Sequence, residues 1–471
     1  MSWEIVVGLE THVELSTKTK IFCSCTTEFG GEPNSQCCPG CIGHPGTLPL
    51  LNKKVVRYAI MAGLALGCRI NNLSVLARKH YSYPDLPKAY QISQFDKPIC
   101  EKGSIMLGSG REIRITRIHI EEDAGKLVHS GNALLIDYNR GGVPLIEIVT
   151  EPDFRSSDEA VEYLEKLQAI LRAVGVSDCR MQEGSLRCDV NISLRPKGSD
   201  KLGVRAEVKN LNSFVTVTDA IECEYERQKE MLDADEVLEQ ETRGWNADTQ
   251  ETVRLRGKEN ADDYRYFQEP NLAEIYVSDS EIEEIRESLP ELPDKKLDRY
   301  VNALGVSASD ARLLTKYRKV SEYFEAASQG AKDPKMVASI IVTQLFSLIT
   351  TEAEREDWSP KTTAQQLGHL VGLIDSGKLN RNLAKRVLGQ MLDSGKDAED
   401  FISAEDLAGF SPETLDKLCS DIVEREQKTV ADYLGGKEKA IKALVGAVMR
   451  ETKGRANAID AEATLKRIIG G

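Results

Sequence analysis

The sequence has no run of 18 uncharged apolar residues, and its opening, Met1-Ser2-Trp3-Glu4-Ile5-Val6-Val7-Gly8, carries no basic segment ahead of an apolar stretch. These two absences predict neither a membrane-spanning helix nor an export signal, and they place the chain in the cytoplasm. Glycine-rich nucleotide loops are missing too. There is no G-x-x-x-x-G-K-[ST] and no G-x-G-x-x-G after a strand, which argues against P-loop and dinucleotide-binding domains. A disulfide framework is not expected, because the eleven cysteines are an odd number and are scattered apart from one cluster. Internal repeats and low-complexity runs are absent. Positive charge is in deficit: 61 Lys and Arg against 75 Asp and Glu leave a net charge of −14, which excludes an unspecific nucleic-acid coat.

What is present is length: 471 residues, 41% hydrophobic, exceed one ordinary core and predict several domains. Up to about Pro290 the chain reads as strands and loops with two or three helices, and the remainder as almost wholly helical, which makes the fold class α+β. The break falls at Leu289-Pro290-Glu291-Leu292-Pro293-Asp294, where two prolines three apart exclude a helix interior. A second change comes between Asp397 and Ser411, with Ser411 placed to cap a helix that has Pro412 in its first turn. These breaks divide the chain into 1–292, 293–405 and 406–471. From Lys437 to Arg467, eight Lys or Arg against four Asp or Glu reverse the sign of the whole, as a local basic face or as an ordinary solvated helix. One helix is well signalled: Ser156 and Glu159 fit a capping box, Ala160, Leu164, Leu167, Leu171 and Val174 share a face, and Gly175 ends it.

Strands with one apolar and one charged face carry the chemistry, since side chains alternate along a strand. In Trp3 to Leu15, the residues Ile5, Val7, Leu9, Val13 and Leu15 share one face, with Glu4, Glu10, His12 and Glu14 opposite. Around Ser185 to Arg195, alternation puts Arg187, Asp189, Asn191, Ser193 and Arg195 on the polar side. Val204, Ala206 and Val208 repeat the pattern, leaving Arg205, Glu207 and Lys209 opposite. Two further segments bring acids, Ile118-His119-Ile120-Glu121-Glu122-Asp123 and Pro144 through Glu151. There Glu147, flanked by Leu145, Ile146, Ile148 and Val149, needs a cation or partner if it is buried. A charged wet face on an antiparallel sheet is the plain alternative. Several Glu and Asp beside a His are instead a set that holds a hard divalent cation, and interleaved Arg and Lys suit phosphates, which together describe a site for Mg²⁺ with a nucleotide.

The segment Arg78 to Gln91, with three tyrosines, two prolines and several cations, suits a rigid loop that stacks on and grips an anionic ligand, or else a merely structural loop. Asp262-Asp263-Tyr264-Arg265-Tyr266-Phe267 has a similar character. Cys23-Ser24-Cys25, twelve residues, then Cys38-Pro39-Gly40-Cys41 give a C-x-C…C-x-x-C set that fits closed, structural tetrahedral zinc, with free thiols as the alternative and Cys37 as the rival to Cys38.

Long runs of these residues resemble the B subunit of the tRNA-dependent amidotransferases acting on Asp-tRNA(Asn) and Glu-tRNA(Gln). They include Gly8 through Leu15, Tyr83-Pro84-Asp85 through Asp96, Glu121 through Lys126, Asn139 through Pro152, Glu183 through Leu194, Lys209 through Ser213 and Asp262 through Pro270. The resemblance implies an antiparallel-sheet cradle domain, similar to glutamine synthetase and guanidino kinases, then a helical domain and a small helical tail that meets tRNA. It implies a heterotrimer with an amidase (A) subunit and a small C subunit. Within it the B subunit phosphorylates the side-chain carboxylate of the misacylated tRNA with ATP and Mg²⁺ before ammonia attacks. No Ser-rich amidase loop is present, so ammonia must come from elsewhere. Carried over residue by residue, the metal positions match Glu10, His12, Glu122 and Glu147, with Glu122 rather than Glu121 chosen by the motif. Lys79, Lys88, Asp189 and Glu207 match substrate- and nucleotide-lining positions, where Arg187, Arg205 and Lys209 supply further cations. Zinc cysteines occur in only some members, and the inserted domain of the related archaeal E subunit is not seen here. A freestanding glutamine-synthetase-like ligase and a non-catalytic tRNA adaptor are the rival readings.

Overall fold

The computed structural model describes residues 2–257, 264–376, 378–379, 381–403, 412–437, 439–452, 456 and 458–470. Two compact units, Met1–Leu292 and Pro293–Gly471, divide the chain. Pro293 is the first residue of a helix, Pro293–Asn302, where its missing N–H costs nothing.

The first unit is built on nine strands: β1 (Trp3–Glu14), β2 (Arg69–Ile70), β6 (Cys100–Met106), β7 (Glu112–Glu122), β10 (Pro144–Thr150), β11 (Leu186–Pro196), β12 (Ala206–Leu211), β13 (Glu241–Asn246) and β14 (Glu251–Gly257). They lie in the order β14-β13-β12-β11-β1-β10-β7-β6-β2. The short strands β3 (Leu73–Ser74), β4 (Ala77–His80), β5 (Tyr90–Ser93), β15 (Phe267–Gln268) and β16 (Ile275–Tyr276) form two small sheets, and β8 (Lys126–Ser130) pairs with β9 (Ala133–Asp137) as a hairpin. Every neighbouring pair in the large sheet is antiparallel except β12 and β13. Between those two runs the helix α3 (Phe214–Asp233), long enough to carry the chain back to the starting edge, so the sheet is mixed rather than purely antiparallel.

One face of the sheet is covered by helices. Ile146, Ile148, Leu186, Cys188, Val190 and Ile192 join a single apolar core with residues of α1 (Lys53–Ala65) and α2 (Ser157–Ala173). In α2, Ala160, Leu164, Leu167, Leu171 and the capping Val174 are all buried, and Gly175 follows at φ 73°. Ser156 caps the Glu159 amide as expected, but the Glu159 carboxylate accepts from the amide of Arg155 instead of closing the box on Ser156. A fourth helix, α4 (Asp279–Glu287), exceeds the two or three expected before Pro290. It buries only Ile282 and Ile285, too few to show a period in sequence. Val204 does not extend β12; it is exposed in the loop ahead of Ala206.

The second unit is helical and holds two apolar cores, one from Tyr300 to Ala398 and one from Leu415 to Leu465. The boundary expected at 405–406 and the Ser411 cap lie outside the described residues, as do Asp262 and Asp263 of the second aromatic segment.

Arg78 of β4 grips Glu269, just beyond β15, through two bonds of 2.6 and 3.0 Å, and Glu269 is fully buried. Glu269→Ala leaves that guanidinium without its counter-charge and is expected to cost about 3–5 kcal/mol. Thermal unfolding and hydrogen exchange at Gln268–Leu272 check this, and a cost near zero would mean that water substitutes for the pair.

Candidate functional site

The uncovered face of the sheet carries the charged residues, and register brings them into rows. His12 of β1 lies directly across from Arg187 of β11 on one side and Glu147 of β10 on the other, and Glu147 lies across from His119 of β7. One step along, Glu10 faces Asp189. In β12 the register against β11 slips by one residue, so that Lys209 and Asn210, the latter left-handed at φ 69°, stand opposite Asp189 alone. That bulge seats the Lys209 ammonium 2.6 Å from Asp189 and 2.8 Å from Glu207.

The centre is a compact cluster. His12 Nε2 stands 3.4 Å from Glu121 Oε1 and 3.5 Å from Glu147 Oε2, and His119 Nε2 is 3.1 Å from the same Glu147 oxygen. Burial alone would raise the pKa of Glu147, but His119 and His12 outweigh it and hold the carboxyl well below its ordinary range. Burial works against the charged form of His12 as well, yet Glu147, Glu121 and Asp189 carry it up to about 9, so a proton sits where the acids attract positive charge. Glu10 is raised by burial and by its acidic neighbours, with Lys209 opposing, and Asn191 donates to it at 2.9 Å. On the far side Glu14 is pushed up to about 8 by burial and by Asp123, whose own carboxylate accepts from Arg187 at 2.9 Å and pairs with Arg140 at 3.3 Å.

This surface floors a cleft of about 850 Å³ lined by His12, Lys79, Asp123, Arg140, Arg187, Asp189 and Lys209 among others. A second cavity of about 460 Å³ shares His12, Lys79, Asp189 and Lys209 with it and adds Glu10, Arg117, Glu147, Arg205 and Glu207. Aromatic rings wall the smaller one: Phe95 stacks on Tyr266 at 4.4 Å, and Lys79 sits 4.9 Å over the ring of Tyr264. The buried Nε atoms of Arg117 and Arg187 have no hydrogen-bond partner among the described residues.

Of the residues singled out in sequence, Glu10, His12, Lys79, Glu147, Arg187, Asp189, Arg205, Glu207 and Lys209 are brought to the cleft. Glu122 and Lys88 are not. Glu122 follows Glu121 on the same strand, so it faces the other way, where its carboxylate meets Lys88 and the amide of Ile92 beside a separate cavity of about 250 Å³. The acid that joins His12 and Glu147 is therefore Glu121, and these three offer ligand atoms all within 4.8 Å of one another. His119 also belongs to the cluster. Two-residue alternation from His119 to Glu121 was the signal for both.

The four cysteines converge as well. Cys41 Sγ lies 3.4 Å from Cys23, 3.6 Å from Cys38 and 3.7 Å from Cys25. Zinc–sulfur bonds of ~2.3 Å in a tetrahedron put sulfurs ~3.8 Å apart, so the set fits such an ion with slight expansion. Cys37 is turned instead toward Asn139, at 3.7 Å.

Scaffold and cluster together define the catalytic domain of an enzyme, followed in the chain by a helical region. Residues 5–283 match the family described as the GatB/GatE catalytic domain, and residues 322–469 match the one described as the GatB domain. The chain belongs to the family of B subunits of the aspartyl/glutamyl-tRNA(Asn/Gln) amidotransferases. Relatives of that name from Caldicellulosiruptor saccharolyticus, Thermoanaerobacter pseudethanolicus and Clostridium botulinum are 50%, 49% and 47% identical to it, each alignment covering 97% of both chains. Among the described residues, no helix is long and apolar enough to cross a membrane.

A cation held by His12, Glu121 and Glu147 loses a ligand when one acid is neutralised. Glu121→Gln is expected to weaken Mn²⁺ or Mg²⁺ binding by at least about tenfold. Calorimetric titration should find Glu122→Gln close to the wild-type value, and the reverse order would return the role to Glu122.

Proposed function

We propose that this chain activates the side-chain carboxylate of Glu-tRNA(Gln), Asp-tRNA(Asn) or both by ATP-dependent phosphorylation, and then lets ammonia displace the phosphate. The observation that carries the reading is the pairing of His12, Glu121 and Glu147 with Lys79, Lys209, Arg117 and Arg187 around one cleft. Phosphoryl transfer needs positive charge and positioning more than a protein nucleophile. A carboxylate oxygen attacks the γ-phosphorus and ADP leaves; ammonia then attacks the acyl carbon and inorganic phosphate leaves, giving the amide. Mg²⁺, when bound by His12, Glu121 and Glu147, supplies charge neutralisation on the phosphates.

The protein's own groups do the rest. Lys79 and the guanidinium groups of Arg117 and Arg187, which line the cavities, hold phosphate oxygens, and Lys209, anchored by Asp189 and Glu207, fixes the electrostatic edge of the site. Glu10 and Asn191 orient the reacting end. Aromatic walls at Phe95, Tyr264 and Tyr266 exclude water from an intermediate that hydrolysis would destroy.

The same reading assigns a cradle of the glutamine-synthetase and guanidino-kinase type to residues 1–292, with structural zinc at Cys23, Cys25, Cys38 and Cys41. It assigns a helical domain to 293–405 and a tRNA-binding tail to 406–471. Ammonia comes from an amidase A subunit in a cytoplasmic heterotrimer completed by a small C subunit. The relatives' names as B subunits support a partnered assembly acting on these charged tRNAs.

In the reconstituted trimer, Glu10→Gln or Glu147→Gln is expected to lower ATP-dependent amidation by about 10²–10³-fold while the partner's glutaminase turnover persists. Unchanged amidation would make the chain an adaptor, and activity on free glutamate or aspartate would make it a freestanding ligase. Deleting residues 406–471 is expected to weaken binding of the charged tRNA by about tenfold at low salt, with a shallower salt dependence. Filter binding across a salt series checks it.

A further inference from the structure

Lys20 is a lysine with no exposed surface. Its stem packs beside Gly142, its ammonium lies 3.6 Å from Cys41 Sγ, and it donates to the Tyr138 carbonyl at 3.1 Å. Among the described residues no carboxylate stands within ion-pair distance of it. A buried ammonium without a counter-charge is strongly unfavourable, a carbonyl does not provide one, and the sulfur it touches belongs to a cluster that can. Four ionised sulfurs around a dication do, because such a centre carries a net charge of about −2.

We propose that Lys20 is the built-in counter-ion of the Cys23, Cys25, Cys38 and Cys41 metal centre. It donates an N–H to the ligating Cys41 sulfur and ties the centre to the wall of the cleft. This rests on reading the four cysteines as a metal site. The tie runs through Tyr138. Its carbonyl accepts from Lys20, its hydroxyl donates to the Pro84 carbonyl at 2.8 Å, and two residues on, Arg140 bonds the carbonyls of Ala124 and Gly125 and pairs with Asp123. Asp123 in turn holds Arg187 in the cleft. Lys20 is thus a positioning residue with two clients, the metal and the loop that carries Asp123.

The test uses the full-length chain and zinc itself. Metal content is measured first, then the rate at which zinc passes to an excess of chromophoric chelator. One zinc per chain is expected in the wild type. Lys20→Met is expected to hasten transfer about 10- to 100-fold, with Lys20→Arg restoring most of the retention. Lys20→Gln keeps a donor, one bond nearer the backbone, without the charge, and serves with the same two outcomes should Lys20→Met not accumulate folded. Cys25→His reduces the charge of the centre by one, so in that background Lys20→Met should hasten transfer only a few-fold. A wild type without zinc overturns the metal reading and the counter-ion together. A zinc-bearing wild type whose Lys20→Met variant releases metal at the normal rate overturns the counter-ion alone. Undiminished acceleration in the Cys25→His background also overturns it, because packing and not charge would then be the cause.

Discussion

A carboxylate placed in the middle of a sheet governs this molecule. Glu147 is nearly enclosed, on a strand whose neighbours in sequence are apolar, and it is kept ionised there by two imidazoles from the strands on either side. Such an arrangement is stable only if β1, β10 and β7 keep their register, since a slip of one residue would send His12 and His119 into the apolar layer and leave the acid unpaired. The same register aligns the cleft's other charges. Arg187 falls beside His12 and Asp189 beside Glu10 because β11 pairs with β1 along nearly its whole length.

Much of this was visible in the alternation of the sequence. The sequence of strand β11 alternates without a break and that of strand β1 does so apart from Val6 and Gly8, and a pattern of that kind names both the buried face and the polar set. Strand pattern and motif alignment diverge where two acids are adjacent. Glu121 and Glu122 cannot share a face, and the motif pointed to Glu122, whereas His119 two residues before Glu121 marks the polar side of β7. The helix α4 escaped notice for a different reason, since a nine-residue helix with two buried isoleucines has too short an apolar stripe to stand out. The bulge at Lys209 and Asn210 is invisible in sequence because nothing local distinguishes it; it exists through pairing with β11. Lys20 is the opposite case, a lysine that reads as an ordinary surface residue until its burial is known.

Acid and base are sorted by neighbourhood rather than by residue type. Near the cluster, positive charge comes from two imidazoles; along β12 it comes from Lys209 between two carboxylates; toward Glu14 it comes from Arg187 and Arg140. The chain is acidic as a whole, yet its cleft is balanced locally, which is what a site receiving several negative oxygens at once requires.

The position of β1 has a bearing on biosynthesis. Strand β1 is the central one of nine, and its two neighbours are not made until residues 144–150 and 186–196 have been translated. At ribosomal speeds of roughly 5–20 residues per second, Trp3–Glu14 therefore spends about 7–27 seconds as a ribbon with one apolar face and both edges unsatisfied. During that interval it is a substrate for chaperones or for wrong pairing with other chains, because its partners lie so far downstream in the sequence.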